Sequence, residues 1–333
     1  MSKSEEEYTQ PIGLDVGTSR IVAARSADKR YRYESQLNAF LTLPYSKLAD
    51  NLLQRENVFH EVHGSEIVVA GNDAERFAEV FHVETRRPMQ NGILNPQEPH
   101  SLAVVRSIIG KLLGRATVEK QKVYFSVPAP VEGSETGIPY HQASISQILT
   151  ELGFAPTPIA EGLAVVFGEL GDANFSGIGI SCGSGLCNVC LAVLSVPVIS
   201  FSVPKAGDFI DNQAALVTGD LAIRLRIQKE KAFRLNGLCS DRVQNALTVY
   251  YQEMIVNLVK TLCNHISSAQ KLPKLEQAIP LVLSGGTAMP HGFLDHFMTA
   301  MRANELPVKL SEVRISADPL NSTARGALMA ALC

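Results

Sequence analysis

Twice along the chain an apolar strand runs into a glycine turn and comes straight back out as a second apolar strand. The first instance is PIGLDVGTSRIVAARS at residues 11–26 and the second is SGIGISCGSGLCNVCLAVLSV at 176–196. Each reads as a β-hairpin, because apolar runs bounded by Gly, Ser and Thr are strand and turn signals. After each hairpin the period lengthens to that of helices. PQEPHSLAVVRSIIGKLLG places Leu102, Val105, Ile108, Ile109 and Leu112 on one face and ends at Gly114. KVYFSVPAP reads as a buried strand closed by prolines, HQASISQILTELGF as a helix, and IAEGLAVVFGEL as a second helix starting near Glu161. In the second half VISFSVPKAG adds a third strand, and a long helix follows at about 241–270 with Val243, Leu247, Tyr250, Met254, Leu258 and Leu262 on one face. AIPLVLSGGTAMPHGFLDHFMTAM is strand, glycine turn and helix, with Pro290 suited to the first helical turn. DPLNSTARGALMAALC is a final helix expected to pack back on the first half.

A chain that opens twice in the same way predicts two similar α/β lobes around a cleft. The expected first lobe is residues 1–150 plus 315–333, with a small inserted subdomain at about 31–80. The second is 151–314, with a small subdomain at about 207–270. At 333 residues and 46% hydrophobic content the chain has enough apolar material for two cores.

Charge and composition exclude several classes of partner. A net charge of −3 provides no basic field for nucleic acid. The longest apolar stretches, such as LAVLSVPVISFSV, carry Pro and Ser and fall short of the roughly 18 residues of a membrane helix. The acidic start MSKSEEEYTQ has no apolar stretch behind it suited to a signal peptide. Six cysteines in a chain of this length point to reduced thiols and a cytoplasmic address rather than a disulfide scaffold.

The glycine turns are where chemistry is expected. In LDVGTSR, Asp15 precedes a turn whose N–H groups at Gly17, Thr18 and Ser19 are placed to meet phosphate oxygens. A bare hairpin turn has the same composition. Asp15 is the type of oxygen ligand that Mg²⁺ takes, directly or through water. In LSGGTAM, Gly285 and Gly286 allow a flat ligand close to the backbone and Met289 can pack on its face, although a tight strand-to-helix connection reads the same. Cys182, Cys187 and Cys190 show the C-x₄-C-x₂-C spacing of iron–sulfur ligands, with Cys239 or Cys263 as a fourth. Against this, Cys187 and Cys190 would leave a strand on opposite faces. No His pair has zinc-ligand spacing and no G-x-S-x-G nucleophile context occurs.

Taken together and in order, these motifs resemble the actin-like ATPase superfamily, and within it the bacterial filament-forming group that includes MreB and MamK. LDVGTS is similar to the first phosphate loop, ISCGSGLCNV falls where the second belongs, and LSGGTAM resembles the adenosine loop. IAEGLAVVFG and NSTARGALMAAL look like the two connecting helices. KAGDFID (205–211) resembles the segment after the second phosphate hairpin, and RRPMQNGILNP (86–96) a segment of the first lobe. The likeness spans residues 12 to 331. It implies an α/β, two-lobed actin-like fold, ATP or GTP with Mg²⁺ as ligands, and self-assembly into filaments with adaptor or cargo proteins as further partners. It implies that Asp15 is the Mg²⁺-associated acid and that Gly17, Thr18 and Ser19 touch the β- and γ-phosphates. Gly183, Ser184 and Gly185 would face them from the other side. Gly285, Gly286 and Met289 would line the adenine, Lys229 and Glu230 the ribose, and Glu161 would orient the attacking water. A helix N-terminal acid that satisfies the dipole is the alternative reading of Glu161.

One departure matters. The second phosphate loop of the family begins with an aspartate, and here that position is Ser181. The positions after the glycines are Leu186, Cys187 and Asn188. Binding through backbone N–H groups survives such a loss, whereas hydrolysis depends on charge placement. The expectation is therefore a cytoskeletal, ATP-binding, polymerising protein with slow or impaired hydrolysis. The alternatives are a non-polymerising nucleotide-binding regulator and a small-molecule kinase.

Overall fold

The computed structural model describes residues 10–27, 30–131, 137–237, 241–269 and 277–333. The first hairpin forms as read, from β1 (Ile12–Val16) and β2 (Arg20–Ala27), and β3 (Arg30–Leu37) continues it antiparallel. The chain then leaves the sheet. β4 (Phe40–Pro44), α1 (Lys47–Arg55), β5 (His60–His63), β6 (Glu66–Ala70) and α2 (Asn72–Phe81) build a separate three-stranded sheet in the order β4-β6-β5. Its own core holds Leu41, Leu53, Ile67 and Phe77. The insertion expected from about residue 31 thus begins later, because Arg30–Leu37 pairs along its whole length with β2.

A two-residue hairpin, β7 (Met89–Gln90) with β8 (Ile93–Leu94), leads to α3 (Ser101–Leu113). Val104, Val105, Ile108, Ile109, Leu112 and Leu113 bury one stripe of α3, and Gly114 at φ 66° ends it. β9 (Gln121–Val127), α4 (Ile138–Glu151) and β10 (Phe154–Ala160) complete the first lobe, both strands adding in parallel to give the order β10-β9-β1-β2-β3. α5 (Glu161–Glu169) crosses to the second lobe.

There the design repeats. β11 (Gly177–Cys182), β12 (Cys187–Val193) and β13 (Val196–Val203) form the antiparallel meander. Three helices follow, α6 (Gly207–Thr218), α7 (Ala222–Ala232) and α8 (Arg242–Ser268). β14 (Ile279–Ser284), α9 (Phe293–Arg302), β15 (Leu310–Ile315) and α10 (Ser322–Leu332) close the chain. The second sheet runs β13-β12-β11-β14-β15, the same order and directions as the first with β11 in the place of β1. Parallel strands bury both faces, which is why β11 and β14 are buried throughout and apolar but for Ser181 and Ser284 near their ends.

Two details differ from the sequence reading. The buried ridge of α8 runs through Tyr251, with Leu247, Met254, Leu258 and Leu262, while Tyr250 and Val243 are only partly covered. Pro290 lies in the turn before α9 and not in its first turn, since Gly292 at φ 94° caps the helix. The two lobes meet along α5 and α10, which pack backbone to backbone. A Cβ at Gly326 would stand 1.6 Å from the Ala164 carbonyl oxygen, so no larger residue fits that crossing. At the end of α5 the buried Glu169 carboxylate accepts from Arg314 Nη1 at 2.9 Å, Ser322 Oγ at 2.8 Å and Arg325.

Candidate functional site

Asp15 sits in β1 opposite Val22, one residue before the turn. Ser126 on β9 holds it: the serine hydroxyl donates to Asp15 Oδ1 at 2.8 Å and accepts the Val16 N–H at 2.8 Å. The turn itself is closed by the Gly17 N–H on the Arg20 carbonyl at 3.0 Å. Asn38 braces it from the side, donating its amide to the Gly17 carbonyl at 3.0 Å and its N–H to the Ser19 carbonyl at 2.8 Å. The Thr18 hydroxyl accepts the N–H of Gly92, at the tip of the β7–β8 hairpin, at 3.1 Å.

The second hairpin comes from the other lobe. Ser181 pairs with Asn188 and Cys182 with Cys187, and the Gly183 N–H closes the turn on the Leu186 carbonyl at 3.0 Å. The loop carbonyls are occupied. Gly183 O accepts the Thr287 hydroxyl at 2.8 Å and the Gly207 N–H at 3.2 Å, and Ser184 O accepts the Asp208 N–H at 2.7 Å. The N–H groups of Ser184 and Gly185 have no acceptor among the described residues, the arrangement of a backbone anion site. Gly185 presses on the first loop: a Cβ there would lie 2.5 Å from Thr18 Oγ1 and 2.8 Å from the Gly92 nitrogen.

Glu161, the first residue of α5, is buried between the two hairpins. Removal from water pushes its carboxyl up to about 8, the nearby Asp15 charge adds to the rise, and the polar groups of Ser181 and Asn188 offset only part. Asp15 is likewise pushed up to about 6 by burial, against the pull of the Ser126 hydrogen bond. Removal from water disfavours the charged form of both carboxyls, and the Asp15 charge adds to the rise at Glu161, so a cation between them would favour ionisation of both. An oxygen-donor pair of this kind fits a hard divalent cation such as Mg²⁺. Ser181 adds an oxygen but no charge.

The helices of the second lobe supply the remaining wall. Lys229 on α7 stands 2.7 Å from Asp211 on α6, with both side chains buried, and Lys229 also donates to the Gly207 carbonyl at 3.3 Å. Burial pushes the Asp211 carboxyl up and the Lys229 charge pulls it back. The ammonium expected at the ribose is therefore held by a carboxylate within its own lobe. Asp211 is a cleft acid that the sequence motifs did not single out, although KAGDFID carried it.

All thirteen residues named from the sequence, from Asp15, Gly17, Thr18 and Ser19 through Glu161, Gly183, Ser184 and Gly185 to Lys229, Glu230, Gly285, Gly286 and Met289, line one cleft of about 680 Å³. Residues that sequence reasoning missed share the wall: Gly92, Asp211, Arg226, Tyr251 and Leu320. Among the described residues the cysteines form no single ligand cluster, although Cys182 and Cys187 face each other across the hairpin. Cys187 packs in the main core of the second lobe and Cys190 in the separate cluster under α5, on the opposite face of β12. Cys239 lies outside the described residues.

Two lobes of identical strand order, joined by a helix pair and facing each other with a glycine hairpin apiece, define an actin-like fold. A structure of a MamK double helical filament, 17% identical, aligns over 97% of this chain and 98% of that one with a TM-score of 0.74. MreB 5 of Spiroplasma citri bound to AMPPNP, 13% identical, aligns over 95% and 94% with a TM-score of 0.64. The ethanolamine utilization protein EutJ from Carboxydothermus hydrogenoformans, 16% identical, aligns over 96% and 88% with a TM-score of 0.55. No curated protein matches by sequence. The Volactin family model matches residues 11–331, and the chain belongs to that family. No described helix is long and apolar enough to cross a membrane.

Proposed function

We propose that the protein is a cytoskeletal actin-like protein that binds ATP with Mg²⁺ in the cleft between its lobes and assembles head to tail into filaments, with slow hydrolysis. The observation that carries this reading is the pair of glycine hairpins, Gly17–Ser19 and Gly183–Gly185, brought from two lobes to one cleft beside Asp15 and the buried Glu161. Free N–H groups at Ser184 and Gly185 are donors for phosphate oxygens. Asp15, fixed by Ser126, and Glu161 are the residues that would hold Mg²⁺ or its water shell. The cation would supply charge neutralisation between phosphate and carboxylates. Gly285, Gly286 and Met289 form the wall for a flat base, and Glu230 with the Asp211-held Lys229 the wall for the sugar.

Slow turnover is read from Ser181. A hydroxyl in place of a carboxylate leaves the cation one acid fewer on the second lobe, and phosphoryl transfer depends on such charge placement. Assembly is supported by the full-length likeness to a protomer of the MamK filament. Exposed apolar side chains, Leu48 on α1 and Leu216 near the end of α6, are surface that self-association buries. A head-to-tail contact does not close on itself and so grows a polymer.

Calorimetric titration with ATP and GTP, each with Mg²⁺ and with EDTA, tests the cleft. The reading expects Mg²⁺-strengthened binding of one of them and its loss in G185V, whose side chain would occupy the space between the phosphate loops. Binding without assembly would favour the non-polymerising regulator, to which the uncharged Ser181 also points. Equal titration curves for wild type and G185V would remove the cleft as the nucleotide site.

A further inference from the structure

Beside the cleft, two ion pairs run from one lobe to the other. Arg226 on α7 reaches Glu75 on α2, in the insertion of the first lobe, with Nη2 to Oε1 at 2.6 Å. Arg87, in the segment between α2 and β7, reaches Asp208 in the first turn of α6 with Nη1 to Oδ1 at 2.6 Å. The partners are 151 and 121 residues apart in sequence, so each pair is a contact between separately built modules. Neither is an ordinary surface pair. The Arg226 side chain is 7% exposed and its partner Glu75 37%, while Arg87 and Asp208 are 23% and 26% exposed, so each pair is partly shielded by protein and still within reach of salt.

Their placement ties both pairs to the cleft. Arg226 itself lines it, one helical turn before Lys229. Asp208 donates its N–H to the Ser184 carbonyl, so the Arg87 contact is one residue from the second phosphate loop. Glu75, Arg87 and Asp208 do not line the cleft. They are available as clamps with no part in touching a ligand. Opening the lobes would leave Arg226 short of its counter-charge in a poorly hydrated position, an unfavourable change that opposes opening.

We propose that Arg226–Glu75 and Arg87–Asp208 form a two-point electrostatic latch that holds the lobes together and sets how fast a nucleotide leaves. The inference rests on the cleft being the nucleotide site, as proposed above, but the closure itself is a property of the protein alone. The latch acts by charge, so release from the wild type accelerates with added NaCl.

Release of a fluorescent ATP analogue, chased with excess unlabelled ATP, reads the effect. E75Q and D208N each raise the release rate about fivefold, and the double variant roughly twenty-five-fold if the pairs act independently. The salt dependence seen in the wild type flattens in the double variant. R87D/D208R re-forms its pair with the charges exchanged and returns the rate towards wild type, which a loss of folding would not do. Small-angle scattering without added nucleotide gives the second readout: the double variant shows a larger radius of gyration than wild type at equal melting temperature. If the wild type binds no nucleotide, the cleft assignment fails while the scattering still decides on the latch. Release within twofold of wild type in E75Q/D208N, or an unchanged radius of gyration, would overturn it.

Discussion

Ser181 faces Asn188 across the β11–β12 hairpin, and the Asn188 side-chain amide oxygen Oδ1 accepts the N–H of Ala129 from the first lobe at 2.8 Å. The rung that supplies a carboxylate in related phosphate hairpins is therefore uncharged on both strands, yet one of its members is bonded to the opposite lobe. Under the proposed function, this hairpin is a phosphate site that has given up part of its charge. Asp15 and the buried Glu161 remain as the acids between the loops.

Restoring the charge gives the first prediction. S181D should raise Mg²⁺-dependent phosphate release by about tenfold or more, measured as phosphate per protein at saturating ATP. A third carboxyl beside Asp15 and Glu161 also repels them when no cation is present, so the melting temperature should fall in EDTA and recover with Mg²⁺ and ATP. An unchanged release rate would mean that Ser181 does not limit hydrolysis.

The crossing of α5 and α10 gives the second. A glycine-to-alanine change in a helix ordinarily stabilises by up to about 1 kcal/mol. G326A should do the opposite and cost about 3 kcal/mol or more, because its methyl would overlap the Ala164 carbonyl. Denaturant unfolding of the two proteins side by side measures the difference.

His141 gives the third, on pH. It is fully buried on α4, its ring nitrogens have no hydrogen-bond partner among the described residues, and burial lowers its pKa from 6.5 to about 4. The unfolded chain binds the proton first, so the stability held above pH 6.5 is lost as pH falls through that value towards 4. The loss is about 3 kcal/mol at 1.36 kcal/mol per unit. H141L should flatten this slope of unfolding free energy between pH 7 and 4; a slope equal to wild type would show that other groups carry it.

Assembly gives the fourth. Leu48 and Leu216 are 81% and 77% exposed, so aspartate at either position has little to disturb in the monomer. The pair L48D/L216D should keep its melting temperature within about 2 °C of wild type while its pelletable fraction falls several-fold. Full pelleting would place the filament contacts elsewhere.

The sequence was legible where the signal is local. The turns at Gly17, Gly183 and Gly285 follow apolar strands and end in changes of period, so both hairpins and the adjoining glycine turn could be placed before any coordinates. Tyr250 and Tyr251 are adjacent, and periodicity puts Tyr250 on the apolar face where the structure buries Tyr251. What the pattern does not carry is contact between distant modules. Ser126 holds Asp15 across 111 residues, and Arg226 meets Glu75 across 151, with nothing in the flanking residues to announce either. The polar residues of β3, from Arg30 to Gln36, look unlike a core strand and read as part of the insertion. As the edge of the first sheet, β3 is free to be polar. The motif shows Lys229 as a candidate ribose contact but not its tie to Asp211.

The central claim is most directly tested by sedimentation with negative-stain imaging of the purified protein in ATP–Mg²⁺, in ADP and without nucleotide, with phosphate release read from the same tubes. The account predicts filaments in ATP–Mg²⁺ with little phosphate released over the time of assembly. Absence of filaments in all three conditions would contradict it, and rapid stoichiometric phosphate release would contradict the role given to Ser181.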